Sequence, residues 1–454
     1  MSEQMPGQEQ AGVRTLEALG EDMDRLNKRL DVIDYFRPEV ESAKEQRRAF
    51  LAGEIDTPMN SFPLLEQTDF SEISNAIALA GEDLENLGAP AKYAKPYERQ
   101  IEHNARTVDL LTAAKEYNLA EHDEGARRRF MEANVELFGE PKRQVFEGLV
   151  EKLRKDTEGK ELSGRADEVR QELLGLLPGT EPGAEAFAPS DETVEWTNNA
   201  VDILYEDFLA TIPDKETFSS AELGGVFETM LRDVIGPDAE EWRVVLSDKV
   251  AFINVSSSSK EIKVPNDKEY SRDKVRELSV HEIGVHALRS IMGDGKNISV
   301  LKTGMAGYTD SEEGLAVVFE QALNNKYTER GVPYYLAAGL EYFEDEDFRG
   351  AFEVVWRRNA LDALEGGEEL TDEKIGKARE TAYAQVFRIN RGTNNLPWFK
   401  DLTYYNGNMK MWKCIEENKG DPELLFSLFQ GKIDPEDMTH MRAVWDAELV
   451  QRDK

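Results

Sequence analysis

Cysteine, histidine and basic charge are scarce in this 454-residue sequence, and a long apolar run is missing. With one cysteine, Cys414, an intrachain disulfide is excluded. No stretch approaches the roughly 20 apolar residues of a membrane span, and the opening MSEQMPGQEQ has no apolar segment resembling a signal peptide. Lys and Arg number 55 against 90 Asp and Glu, a formal charge of −35, which repels phosphate backbones and anionic lipid headgroups. The expectation is a cytoplasmic, soluble chain with no nucleic-acid and no membrane partner.

What is present is helix, with one interruption. In EDMDRLNKRLDVIDYF, the residues Met23, Leu26, Leu30 and Ile33 recur at helical spacing, and SEISNAIALAGEDLENL, RTVDLLTAAKEY, RRRFMEANVELFG and RQVFEGLVEKLRKD repeat the pattern. LLPGTEPGAEAFAPSDETVEW, with Pro178, Pro182 and Pro189, breaks it and reads as a linker. The organisation expected is a mainly helical region over 1–185 followed by a catalytic domain over 186–454. Beyond the linker, EWRVVLSD, AFINVSS and KEIKVP are short and β-branched, which predicts a small antiparallel sheet. Ser271 then stands at an N-cap position for a helix running to Gly293, and Thr309 with Glu312 has the spacing of a capping box. The remainder reads as helix except around QVFRINRGTNNLPW. The fold class is α+β, predominantly helical, with the sheet preceding a zincin-like metal-binding helix.

Two of the five histidines, His281 and His286, fall in SVHEIGVHALRS, five residues apart, with Glu282 directly after the first. Zinc proteases with H-E-x-x-H space their histidines by four, so that both leave one helix face. At about 100° per residue, a step of five turns His286 about 140° away from His281. Gly284 permits distortion, and a π-bulge would make i and i+5 neighbours, so local widening is expected at Ile283 to Val285. A lone buried histidine is more often a satisfied core group than a ligand. Here three polar groups sit among Leu278, Val280, Ile283, Val285, Leu288 and Ile291, and each left unpaired would cost a few kcal/mol. A bound cation would satisfy them together. Zinc in a catalytic site takes three protein ligands, so one more is needed. TDSEEGLA offers Glu312 and Glu313, and Gly314 allows close backbone approach to the metal-bearing helix. If Glu312 caps its helix, Glu313 is the ligand; the plainer alternative is an acidic first turn that complements the helix dipole.

HEIGVH followed by EEGLA resembles the H-E-I-G-T-H and Q-E-G-L-A motifs of the QEGLA-motif proteins, which include the microtubule-associated tyrosine carboxypeptidases and bacterial relatives named after flavohaemoglobin expression. VFRINRG and KDLTYYNG extend the similarity, which covers about residue 240 to 450. The resemblance implies His281, His286 and Glu313 as zinc ligands and Glu282 as catalytic base. Val285 stands for the usual threonine and Glu312 for the usual glutamine, and neither change removes a ligand.

A carboxypeptidase needs a cation for the substrate's terminal carboxylate. The candidates are Arg388, Arg391 and Lys400, and Tyr404, in the family's K-D-x-x-Y position, is placed to bind substrate or an oxyanion. Each has an ordinary alternative: Asp401 as an N-cap, Lys400 solvated, Tyr404 in the core. An exposed edge of AFINVSS or KEIKVP could take a peptide as an added strand. The function expected is a zinc metallocarboxypeptidase acting on peptide or protein C-termini, with aromatic end residues implied by the resemblance. Tubulin's acidic tails would meet like charge here. The competing expectations are a zinc peptidase of different end-specificity and a catalytically quiet regulatory protein of the same fold.

Overall fold

The computed structural model describes residues 15–120, 123–180, 187–248, 250, 252–294, 298, 300–364, 368–421, 423–438 and 442. Part of the expected linker, residues 181–186, lies outside the described residues, as does most of the chain beyond Met438.

The helical repeats read in the first third form helix, Leu16–Arg29, Ser71–Leu87, Ala91–Leu119, Glu124–Phe138 and Arg143–Glu158, but the first breaks after Arg29 and resumes as the short helix Val32–Tyr35, which Asp31 caps. Their apolar stripes do not close on one another alone. One cluster joins Leu19, Phe36, Tyr97 and Phe130 to Leu301, Leu396, Trp398 and Ile433. A second joins Phe50, Phe146 and Leu173 to Leu336, Phe352, Val386 and Phe399. Both clusters therefore draw on residues from either side of the linker. The third belongs to the later chain alone and packs Tyr205, Phe227 and Ile262 against Ile283, Phe319 and Trp412.

Around that third cluster the helix gives way to strands, as expected of an α+β chain. β2 (Arg243–Ser247), β3 (Asn254–Ser256) and β4 (Glu261–Pro265) form a sheet in the order β2-β4-β3. β3 and β4 are antiparallel, whereas β2 runs parallel to β4, a departure from the all-antiparallel reading. The turn between β3 and β4, with Lys260 at φ 53°, commits one edge of β4 to its hairpin partner and leaves the other to β2. A second ribbon pairs β1 (Thr217–Ser219) with β5 (Glu269–Ser271), each too short for a period of two to register in the sequence.

β5 feeds the histidine helix without a loop. The Ser271 hydroxyl caps it, accepting from the Lys274 amide at 3.2 Å. The helix is α over Arg272–Leu278, π over Ser279–Ala287, and α again over Leu288–Gly293. Helix Thr309–Leu323 packs against the π segment on one side and against helix Thr403–Asn418 on another.

Candidate metal centre and its cationic neighbour

The widening expected at three residues extends over nine, Ser279–Ala287. A π turn makes i and i+5 neighbours, and the imidazoles of His281 and His286 meet edge to face with centroids 4.9 Å apart. The widened turn is held from outside by Tyr205, whose hydroxyl donates to the Gly284 carbonyl at 2.8 Å.

Glu313 is brought to the same place by helix Thr309–Leu323. One ligand atom from each of His281, His286 and Glu313 lies within 4.8 Å of the others, the one such metal-ligating group among the described residues. The close approach that places this helix differs from the one read in the sequence. A Cβ on Gly314 would stand 2.2 Å from the Gly407 carbonyl oxygen, so its glycine serves contact with helix Thr403–Asn418 and not with the histidine helix. The expected capping box is also absent. Tyr308 occupies the N-cap with no side-chain bond, because Glu312 turns inward to stronger partners.

Those partners make a buried network. Glu312 Oε1 stands 2.9 Å from His286 Nδ1 and 3.0 Å from Lys432 Nζ, and its Oε2 accepts from Arg289 Nη1 at 2.5 Å. Burial would raise the Glu312 carboxyl, but Lys432, Arg289 and His286 outweigh it and hold the pKa well below the ordinary range. His281 has a matching arrangement: its Nδ1 lies 3.3 Å from Glu320 Oε2, and Glu320 also pairs with Arg330 at 2.6 Å. Against its own burial, Lys274, His281 and Arg330 bring Glu320 down to about 2. Burial alone would lower the His281 pKa; Glu320, Glu282 and Glu313 reverse the direction. With each Nδ1 facing a carboxylate, Nε2 is the nitrogen left on both rings for an ion, the usual outer partnership of metal-binding histidines. Two imidazoles and a carboxylate are also a donor set zinc accepts, so the residues fit the metal. Glu282, half-buried, sits beside His281 and is not needed as a ligand.

The four residues singled out for substrate binding also lie together. Arg388 lies in the last turn of helix Asp372–Ile389, which continues through QVFRI, so the irregular stretch begins only at Asn390. Its guanidinium forks onto Asp401 at 2.6 and 2.8 Å and lies over Tyr334 and Tyr404, at 4.9 and 5.3 Å from the ring centroids. Asp401 is thus an ion-pair partner and not a helix cap. Lys400 is 3.5 Å from Asp401, and Lys400 and Tyr404 both feel the charge of Glu313, which sets the cluster beside the metal-ligating group. Burial works to lower the Lys400 pKa, but Asp401, Tyr404 and Glu313 raise it on balance. Arg391 differs. Its Nε is buried with no hydrogen-bond partner, and burial pushes its guanidinium below the ordinary range.

The loop carrying Arg391 is braced by the N-terminal helices. Asn134 donates to the Pro397 carbonyl at 2.8 Å and accepts from the Phe399 amide at 3.0 Å. Asn118 donates to the Gly392 carbonyl at 2.7 Å, and the Asn394 side chain accepts from the Asn60 amide and donates to the Asn60 carbonyl, both at 2.9 Å. Phe36 fills the space a Cβ would need at Gly392, 2.6 Å away, where φ is +93°.

Sequence reasoning missed Glu312's true role, Glu320, Arg289, Lys432, Tyr205 and Tyr334. Arg289 and Glu320 carried a signal, each an ion in an apolar helical run. Lys432 carried none, since nothing local marks a lysine that pairs more than a hundred residues away.

A family model described as microtubule-associated tyrosine carboxypeptidase matches residues 188–332 and 368–454, just over half of the chain. The chain belongs to that family. The matched segments hold the candidate metal-ligating group and all four of the cationic-cluster residues expected from the sequence, while the bracing helices before residue 188 lie outside them. Membership in a carboxypeptidase family places the chain among hydrolases of peptide bonds. No curated protein and no solved structure matches the chain. No helix among the described residues is long and apolar enough to cross a membrane.

Proposed function

We propose that this member of the tyrosine carboxypeptidase family is a zinc-dependent carboxypeptidase that removes the last residue of a protein or peptide. The observation that carries the reading is the convergence of His281, His286 and Glu313 within 4.8 Å, with each Nδ1 facing a carboxylate. Nε2 of both histidines and the carboxylate of Glu313 would hold zinc. When bound, zinc supplies a coordinated water with a pKa near 7 and polarises the scissile carbonyl. Glu282 then accepts the proton of the attacking water and delivers it to the leaving amine.

The cluster beside the metal site reads the substrate's end. Arg388 is already committed to Asp401, so Arg391, with its buried and unpartnered Nε, is the better donor to a terminal carboxylate. Burial raises the Tyr404 pKa and keeps its hydroxyl a donor, suited to a substrate oxygen. Of the strands considered for an added peptide, β4 is already paired on both edges. β3 has an edge without a strand partner among the described residues and packs against the π segment, which makes it the strand to receive the peptide.

The test couples metal content to turnover. Purified protein is expected to bind close to one zinc per chain, and His281→Ala with His286→Ala to abolish it. Glu282→Gln should keep the metal while losing at least ~10²-fold in hydrolysis, the range for general acid–base assistance, whereas Glu313→Ala should lose metal affinity. Undiminished zinc in the double histidine variant sinks the metal site; normal turnover by Glu282→Gln sinks the mechanism.

A further inference from the structure

The His286 tether contains more charge than a hydrogen-bond acceptor requires. Any oxygen could accept from Nδ1–H, yet position 312 carries a carboxylate with 4% of its surface exposed, flanked by two cations as deeply buried, Arg289 at 0% and Lys432 at 5%. Arg289 is also satisfied by the carbonyls of Leu428, Gly431 and Ile433. Lys432 is not comparably supplied: its hydrogen-bonding neighbour is Glu312 Oε1, the oxygen that also faces His286, with the Tyr308 ring 5.8 Å away. The lysine enters from the C-terminal part of the chain, where its backbone is pinned to Leu301 and Met305 by bonds of 2.8 and 3.0 Å. That pairing holds its backbone beside the pocket. An uncompensated buried ammonium is among the costliest groups a protein can hold.

We propose that Glu312 is a positioning residue that fixes His286 for metal binding and that Lys432, threaded in from the C-terminal segment, makes a carboxylate, and not the isosteric amide, obligatory at that position. The inference rests on the zinc reading and deepens it: metal affinity depends on a charge pair formed between the helix that bears Glu313 and a segment distant in sequence. An amide at position 312 keeps an acceptor for His286 but leaves two cations facing each other without an anion, and Lys432 must then displace the tether or draw in water. Removing the lysine as well leaves a neutral amide and an arginine whose Nε and Nη2 stay held by carbonyls, with Nη1 alone giving up its carboxylate partner.

Zinc affinity is measured by chelator competition on the full-length chain, with circular dichroism and thermal melting as checks on folding. Glu312→Gln alone is expected to weaken zinc binding by 10- to 100-fold, the range for loss of an outer partner of a ligand histidine. Glu312→Gln with Lys432→Met should return the affinity to within a few-fold of wild type. A substitution that merely loosened packing would be made worse by a second one, so this rescue is specific to the charge pair. If Glu312→Gln is recovered unfolded, the double variant must fold and bind zinc; a double variant that does neither overturns the proposal. Wild-type affinity in the single variant, or a folded double variant no better than the single one, overturns it too. Those outcomes require wild type to bind zinc. A wild-type chain that binds none removes the zinc reading itself.

Discussion

The hydroxyl of Tyr205 reaches the carbonyl of Gly284 at 2.8 Å, and a Cβ at that glycine would stand 3.0 Å from the tyrosine Cζ. The bond and the missing side chain describe one device: a tyrosine wedged against the widened turn, supporting the geometry that brings histidines five residues apart onto one side. Tyr205→Phe should cost about 1 kcal/mol of stability, the net value of a buried hydrogen bond. Gly284→Ala should cost about 1–3 kcal/mol, because the tyrosine must shift to admit a methyl. Both should weaken zinc binding by more than a distant variant of equal stability does. Urea unfolding and chelator competition on the same preparations check this, and unchanged affinity in both would mean that the π turn holds itself.

The two arginines of the cationic cluster should separate cleanly. Arg391→Ala is expected to lower kcat/KM on a free-acid peptide by tens- to thousands-fold and nearly erase the preference over the matched C-terminal amide, since losing one partner of a buried charge pair costs about 2–5 kcal/mol. Arg388→Ala leaves Asp401, which is 1% exposed, with Lys400 at 3.5 Å as its near cation, and should destabilise the fold by about 3 kcal/mol. Kinetics on acid and amide peptides, beside thermal melting, distinguish the roles. An Arg388→Ala variant that is fully stable yet indifferent to amidation would reverse the assignment.

Much of this site was legible because its chemistry violates the pattern around it. His281, Glu282 and His286 interrupt an apolar helix at a spacing a regular helix cannot use, and the sequence therefore announces a distortion that the structure contains. The broad α+β class followed from the switch of period between Trp242 and Pro265. What stayed hidden depends on contacts between distant segments. Glu312 reads as a capping residue beside Thr309, because local spacing contains no information about Arg289 or Lys432; the interior ion pairs outcompete a cap that would be solvated. Gly314 reads as a place of close approach, and it is one, but the partner is Gly407, about ninety residues on. β1 and β5 are three residues each, too few for alternation to emerge.

The bracing of the arginine loop by helices outside the family match can be tested at Asn134. Its amide satisfies both the Pro397 carbonyl and the Phe399 amide, so Asn134→Ala leaves two buried backbone groups unpaired, at about 1–3 kcal/mol each. The effect should also appear in function, as a raised KM for free-acid peptides with zinc content unchanged, because the loop carrying Arg391 loses its anchor while His281, His286 and Glu313 stand on other elements. A folded Asn134→Ala variant with wild-type KM would confine these contacts to stability.

Glu341 offers a readout in pH. It lies on helix Val332–Phe343, accepts from Asn390 Nδ2 at 2.7 Å just before Arg391, and is pushed up to about 8, chiefly by burial, with Asp347 adding to the effect and Asn390 opposing it. The raised value means that the folded chain holds this proton more tightly than the unfolded chain does. Between the ordinary carboxyl pKa of 4.5 and about 8 the native state binds the extra proton, so stability falls as pH rises through that window. The contribution is fully present below the lower value and lost above the upper one. Glu341→Gln keeps a neutral acceptor for Asn390 and has no proton to lose. The variant should therefore match wild type near pH 4.5 and exceed it at pH 8.5 by about 2 kcal/mol, allowing for partial hydration of the ionised carboxylate. Urea unfolding of both proteins across that range measures the difference directly and cancels the titration of the other acidic residues. Parallel curves for the two proteins would show that Glu341 ionises in the fold as readily as in the unfolded chain.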